Sequence, residues 1–163
     1  MKNHKGWAIQ AKEWFEKASH DLDTAKREFE NAGWSDIICF HCHQAVEKYL
    51  KGFLIFYGKD IEEIKIHDLV NLLKYCRDID RSMRQFNDKC QKLNRYYIET
   101  CYPTGAPKEY SKEEIQEAID AAEEIIKFIF KKNRLEVRKR ESNLKLRAQA
   151  FNQLKKRIQA SLQ

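Results

Sequence analysis

Proline and glycine are scarce in this sequence, two and five in 163 residues. Both prolines fall in one short stretch, Tyr102-Pro-Thr-Gly-Ala-Pro107. Elsewhere little obliges a helix to stop, so a chain built of short strands and tight turns is disfavoured. No run of 18 apolar residues occurs, which excludes a membrane-spanning helix of ordinary length. The N-terminus lacks the charged-then-apolar pattern of a signal peptide. The five cysteines are an odd number, and Cys39, Cys42 and Cys90 occupy apolar helical positions. Reduced, buried thiols in a cytoplasmic protein are the economical expectation. There is no internal repeat, no Gly/Ser-rich linker and no histidine after His67.

What is present describes a folded chain. Hydrophobic residues make up 42% and charged residues 34%, with enough length for one domain and its core. The net charge of +6 is uneven. Residues 134–163 carry nine Lys/Arg against two Asp/Glu, whereas the preceding 133 residues carry 22 against 23. The expected organisation is therefore a near-neutral domain, 1–133, followed by a basic tail, 134–163.

Apolar spacing of three and four residues predicts five helices. The first runs from Ile9 to Asn31, ended by Asn31-Ala32-Gly33 with Gly33 suited to a left-handed C-terminal position. The second runs from Ser35 to Tyr57 and ends at Gly58. The third is short, about Asp68–Arg77. The fourth is expected over Arg81–Thr100, with Met83, Phe86, Cys90, Leu93 and Tyr97 inward. Ser111 opens the fifth, and Glu114 three residues on completes a capping box. In the tail, Leu144, Ala148, Phe151, Leu154, Ile158 and Leu162 share one face, and Arg147, Lys155 and Arg157 lie off it. Whether the tail is a sixth helix or continues the fifth stays open, because no breaker separates them. The fold class is all-α: an up-and-down bundle of about five helices with a C-terminal helical extension.

The second helix is apolar nearly all round, so several neighbours must bury it. Its polar remainder is a strip of His41, Gln44, Lys48 and Lys51, with Glu47 beside it. Two lysines, an amide and an imidazole on one face can hold a phosphate or a base edge; equally, Glu47 and Lys51 can form an i,i+4 pair and Gln44 can satisfy its neighbours. Cys39, His41, Cys42 and His43 place four borderline ligands within five residues. His41 turns away from the other three on a helix, and no second ligand pair occurs, so no metal is expected.

His43-Gln44-Ala45, Glu47-Lys48 and Leu50-Lys51 together resemble the HQAxEKxLK signature of HEPN-domain proteins (higher eukaryotes and prokaryotes nucleotide-binding). Ala18, Asp21-Leu22 and Ala25 resemble that family's first helix. His67-Asp68-Leu69 resembles its HDL entry to the third helix, and Tyr96-Tyr97-Ile98 with Tyr102-Pro103 its YYI-x-x-RYP segment. The resemblance covers about residues 7–132. It implies a homodimer, a role around nucleotides or RNA, and a minimal nucleotidyltransferase as partner in a toxin–antitoxin-like pair, with no cofactor.

Catalytic members of the family are metal-independent endoribonucleases that use an R-x(4–6)-H pair contributed from both chains of a dimer. Arginine would grip the scissile phosphate, and histidine would orient or deprotonate the attacking 2′-hydroxyl. Aligned on this pattern, Arg95 and Tyr102 are in place and are the candidate catalytic residues, but Thr100 stands where the histidine should be. Cys101 stands where the YYI-x-x-RYP pattern has arginine. The resemblance also places the second helix near the end of the fourth. One cleft lined by Gln44, Lys48, Lys51, Arg95, Tyr96 and Tyr102 is the expected nucleotide or RNA site, with arginine and lysine for phosphate, tyrosine for stacking and glutamine for a base edge. The bland alternative for Arg95 is a solvated or ion-paired helix residue. Three functions stay open: non-catalytic nucleotide or RNA binding, endoribonuclease activity through Arg95, and a purely structural interaction domain. The basic tail adds a surface for nucleic acid, an anionic membrane surface or a partner helix.

Overall fold

A computed structural model describes residues 4–61, 66–102 and 109–161. The chain is an all-α helical bundle: α1 (His4–Glu30), α2 (Ser35–Phe56), α3 (Leu69–Ile79), a 3-10 turn over Arg81–Phe86, α4 (Asn87–Cys101) and α5 (Lys112–Ser161). It divides into two compact units, Met1–Ile129 and Phe130–Gln163. α5 is helical without interruption from Lys112 to Ser161, so the tail continues the fifth helix.

Helix ends follow local chemistry. α1 and α2 each close with a pair of bonds that caps their last carbonyls. Gly33 N–H reaches Glu28 O at 2.7 Å and Ala32 N–H reaches Phe29 O at 3.3 Å; Lys59 N–H reaches Leu54 O at 2.9 Å and Gly58 N–H reaches Ile55 O at 2.8 Å. Gly58 takes the left-handed conformation at φ +81°. At the end of α1 that conformation belongs to Ala32, φ 53°, and not to Gly33 as expected. Gly33 answers a different need, since a Cβ there would meet the Glu28 side chain at 2.3 Å and its carbonyl at 3.1 Å. Asp68 caps α3 by accepting from Asn71 N–H at 2.8 Å. The capping box of α5 is formed in both directions: Ser111 N–H to Glu114 at 2.9 Å, and Glu114 N–H to the Ser111 hydroxyl at 3.2 Å.

α2 is the centre of the first unit. Fifteen of its residues are buried, and its apolar sides meet α1, α3, α4 and the first part of α5 in one core. Phe15 and Tyr49 stack at 5.1 Å to hold α1 against it. Each large side chain so enclosed contributes roughly 1.5–3 kcal/mol. Cys39, Cys42, Cys76 and Cys90 are buried free thiols, and Cys101 is exposed. Burial pushes Cys39 and Cys90 up to about 12 and raises Cys42 and Cys76 as well, so none of the four is a thiolate at neutral pH.

The fourth helix corrects two expectations. Its first six residues are a 3-10 turn, Arg81–Phe86, anchored by the Asp80 side chain accepting from Ser82 N–H. Tyr96, not Tyr97, is the fully buried tyrosine. In the second unit, every residue from Glu141 to Gln153 is exposed, and Arg140 Nε pairs with Glu136 at 3.0 Å.

Candidate functional site

The polar strip of α2 is held mostly by carboxylates. Asp21 of α1 takes both His41, at 3.0 Å, and Lys48. Glu47 is 4% exposed and receives Lys51 Nζ at 2.7 Å and His67 Nδ1 at 3.1 Å on one oxygen. Lys51 is itself buried and sits 5.8 Å from the Trp14 ring centroid. The i,i+4 pair of Glu47 and Lys51 anticipated from spacing is therefore present, while the long-range partners of His41 and Lys48 were not legible in the spacing. Gln44 is partly exposed on the same helix.

Next to this network lies an imidazole with no good partner. His43 has no exposed surface, and neither ring nitrogen meets a group with hydrogen-bond geometry. The other oxygen of Glu47 is also buried and unbonded, 3.9 Å from His43 Nδ1. Burial lowers the His43 pKa to about 4; nearby Glu47, the Asn94 side chain and the His67 backbone oppose this without reversing it. His43 is thus neutral at pH 7. The Tyr97 ring covers it at 4.7 Å, and Tyr97 also lies over His67, at 6.0 Å, and Phe40, at 6.2 Å. Asn94 pins the turn that carries His67: its Oδ1 accepts from Leu69 N–H at 2.8 Å and its Nδ2 donates to Asp68 at 3.0 Å. The His67-Asp68-Leu69 turn, α2 and α4 are locked together by these contacts.

Arg95 and its neighbours face a different helix. Arg95 is half exposed, 3.6 Å from Glu114 of α5, and its guanidinium lies 5.3 Å from the Tyr96 ring centroid. Tyr96 is fully enclosed and meets Tyr110 edge-on at 4.8 Å. The stacking role expected of Tyr96 is not available to it within this chain. Tyr102 is 63% exposed at the C-terminal end of α4. The Thr100 hydroxyl donates to Asp36 O at 3.4 Å, in keeping with a residue that ties α4 to the start of α2. Of the six residues expected to bind, Arg95, Tyr102 and Gln44 keep solvent-facing surface, Lys48 keeps about a quarter, and Lys51 and Tyr96 are enclosed.

These elements coincide with one sequence family. The HEPN domain profile matches residues 11–134. The chain belongs to the HEPN-domain family. That membership ties it to nucleotide- or RNA-related function at the level of the family. A comparison with curated proteins finds no significant match.

The HEPN signature residues can now be sorted by chemistry. His43, Glu47, Lys51 and His67 make a mostly enclosed polar cluster, and Asp68 and Asn94 shape the turn beside it. Sequence reasoning missed the His67–Glu47 pair, although both residues stand in the signature; nothing in their separation of twenty positions announces contact. Among the described residues, no group of three or more His, Cys, Asp or Glu side chains is arranged to hold a metal ion. Among the described residues, no helix is long and apolar enough to cross a membrane.

Proposed function

We propose that this HEPN protein binds RNA or a nucleotide without cleaving it, and that it works beside a minimal nucleotidyltransferase in a toxin–antitoxin-like pair. The observation that carries the non-catalytic reading is Thr100 at the position of the ribonuclease histidine, with its hydroxyl engaged by Asp36 O. A threonine hydroxyl is no neutral-pH base. Buried His43 cannot replace the missing histidine, because it is neutral but closed to solvent. Arg95 suits phosphate: its contact with Glu114 is long and half exposed, so an incoming anion displaces a weak partner. Tyr102 supplies an open ring for stacking and Gln44 an amide for a base edge. Arg95→Ala should weaken nucleotide or RNA binding at least fivefold by fluorescence anisotropy, with the melting temperature unchanged. Undiminished binding would remove Arg95 from the site.

A homodimer accompanies this reading. Ile98 in the last turn of α4 and Tyr102 just past its end are 55% and 63% exposed, an apolar edge that a second copy would cover. Light scattering showing a monomer at micromolar concentration contradicts it.

One observation favours endoribonuclease activity as a second reading. His67 is 61% exposed in its side chain while buried Glu47 holds its Nδ1, the arrangement by which a carboxylate orients a general base. Arg95 faces α5 and His67 lies over Tyr97, so this reading takes the arginine from one protomer and the histidine from the other. Mixing Arg95→Ala and His67→Ala proteins would then restore cleavage that each variant lacks. Inactivity of the wild type and of the mixture rejects it.

A further inference from the structure

A second cluster of cations lies away from the signature residues. Lys74 and Arg77 on the last turns of α3, and Arg81 and Arg84 on the 3-10 turn that follows, line one groove of about 570 Å³. The fifth lining residue is Asp78, so every side chain around the groove is charged. All five are exposed. Among the described residues, Arg77, Arg81 and Arg84 take part in no ion pair, and Lys74 donates only to the neutral Asn71 amide oxygen, at 2.9 Å.

Several other cations of this unit are held by carboxylates instead. Lys26, Lys48, Lys51, Lys89, Lys92 and Arg95 all face carboxylates on the same or a neighbouring helix. A cation at the C-terminal end of α3 is favoured by the helix dipole, which accounts for Arg77. It does not account for Arg81, which begins the next helical turn where the dipole opposes a positive charge. Asp78 offsets only one of the four positive charges, so the groove keeps a net positive charge that suits an anionic ligand.

We infer that this groove binds the phosphate backbone of single-stranded RNA. Guanidinium groups hold phosphate oxygens in fork geometry, and three of them with one lysine follow successive phosphates. A protein partner would need an apolar or aromatic anchor, and the lining offers none. The lining also has no ring on which a base could stack, so contact is with the backbone and is indifferent to sequence. The groove deepens the RNA-binding reading without resting on Arg95: it would hold a polynucleotide even if the α2–α4 face bound nothing.

The test uses the full chain and a fluorescein-labelled oligouridylate of about 20 nucleotides, titrated by anisotropy across a salt series. The triple change Arg77→Ser, Arg81→Ser and Arg84→Ser should cut affinity at least tenfold at low salt. It should also flatten the log–log salt slope by about 2, at ~0.7 per phosphate contact for single strands. Asp78→Asn should tighten binding. A control that removes equal charge from lysines already held in ion pairs, Lys12→Ser, Lys89→Ser and Lys127→Ser, should leave the slope nearly unchanged. No wild-type binding, an unchanged slope in the arginine triple, or an equal loss in the control would each overturn the inference. Arg95→Ala in parallel separates this groove from the Arg95 site, because losing that one phosphate contact should change the slope by only ~0.7. Circular dichroism melts confirm that the variants fold, and Arg→Lys at the same three positions should restore most of the slope.

Discussion

Lys51 and Arg95 look alike in sequence, each a cation in a recognisable motif, yet the structure treats them oppositely. Lys51 is buried and faces Glu47 at 2.7 Å, with Trp14 alongside. Arg95 is half exposed and faces Glu114 at 3.6 Å. A charge in the first setting has already exchanged water for protein partners; one in the second can still exchange Glu114 for a ligand. The contrast separates residues that maintain the domain from residues that can act on something outside it. Most of the signature on α2 falls in the first class.

The largest expected effect sharpens that division. Lys51→Ala leaves Glu47 buried without its cation and should cost about 4 kcal/mol, the scale for breaking a buried pair. Urea unfolding should show it as a lowered midpoint with the slope retained. A midpoint equal to wild type would place Lys51 in the binding class instead.

His43 gives the next largest effect, and its sign is fixed by burial. Its folded pKa of about 4 lies below the unfolded value near 6.5, so the unfolded chain binds the proton more tightly. The stability it confers is therefore complete above about pH 6.5 and is lost as pH falls toward 4, by on the order of 3 kcal/mol at ~1.4 kcal/mol per unit. Glu47, Asn94 and His67 are the groups facing it. His43→Phe keeps a ring against Tyr97 and should remove this part of the acid sensitivity while changing stability little at pH 7. Denaturant melts at stepped pH decide it; a variant as acid-sensitive as wild type would assign the effect to another group.

Smaller effects concern helix ends, where sequence and structure can be compared position by position. Ser111→Ala breaks the capping box and should cost about 1 kcal/mol. Ala32→Gly should stabilise by up to about 1 kcal/mol, because Ala32 bears the left-handed conformation. Thermal melts check both, and a lower melting temperature for Ala32→Gly would contradict the assignment.

Those ends also show what the sequence could disclose. Ser111–Glu114 and Gly58 were legible because caps are written within three or four residues, whereas Asp68, read as the first residue of the third helix, is its N-cap. The left-handed residue after α1 was misplaced by one position, since Gly33 is glycine for lack of room beside Glu28 rather than for its φ. Tyr96 and Tyr97 were exchanged because both continue the spacing from Leu93, by three or by four; packing against Tyr110 or His43 chooses between identical side chains. Glu47–Lys51 was readable at i,i+4, but Asp21 beneath His41 and Lys48 and Glu47 beneath His67 are tertiary partners that no local pattern encodes. The arginine groove was missed for a related reason. Its four cations are spread over eleven residues of unremarkable sequence, and only the turn between α3 and α4 brings them to one surface.

Binding without turnover is the claim on which the reading rests. The direct test is to incubate the purified protein with end-labelled RNA in EDTA and to follow complex formation and strand length in the same samples. The account predicts a retarded complex whose RNA stays full length, with the complex weakened by Arg95→Ala. Fragments that accumulate with the wild type and vanish with Arg95→Ala would contradict it and make the chain a ribonuclease.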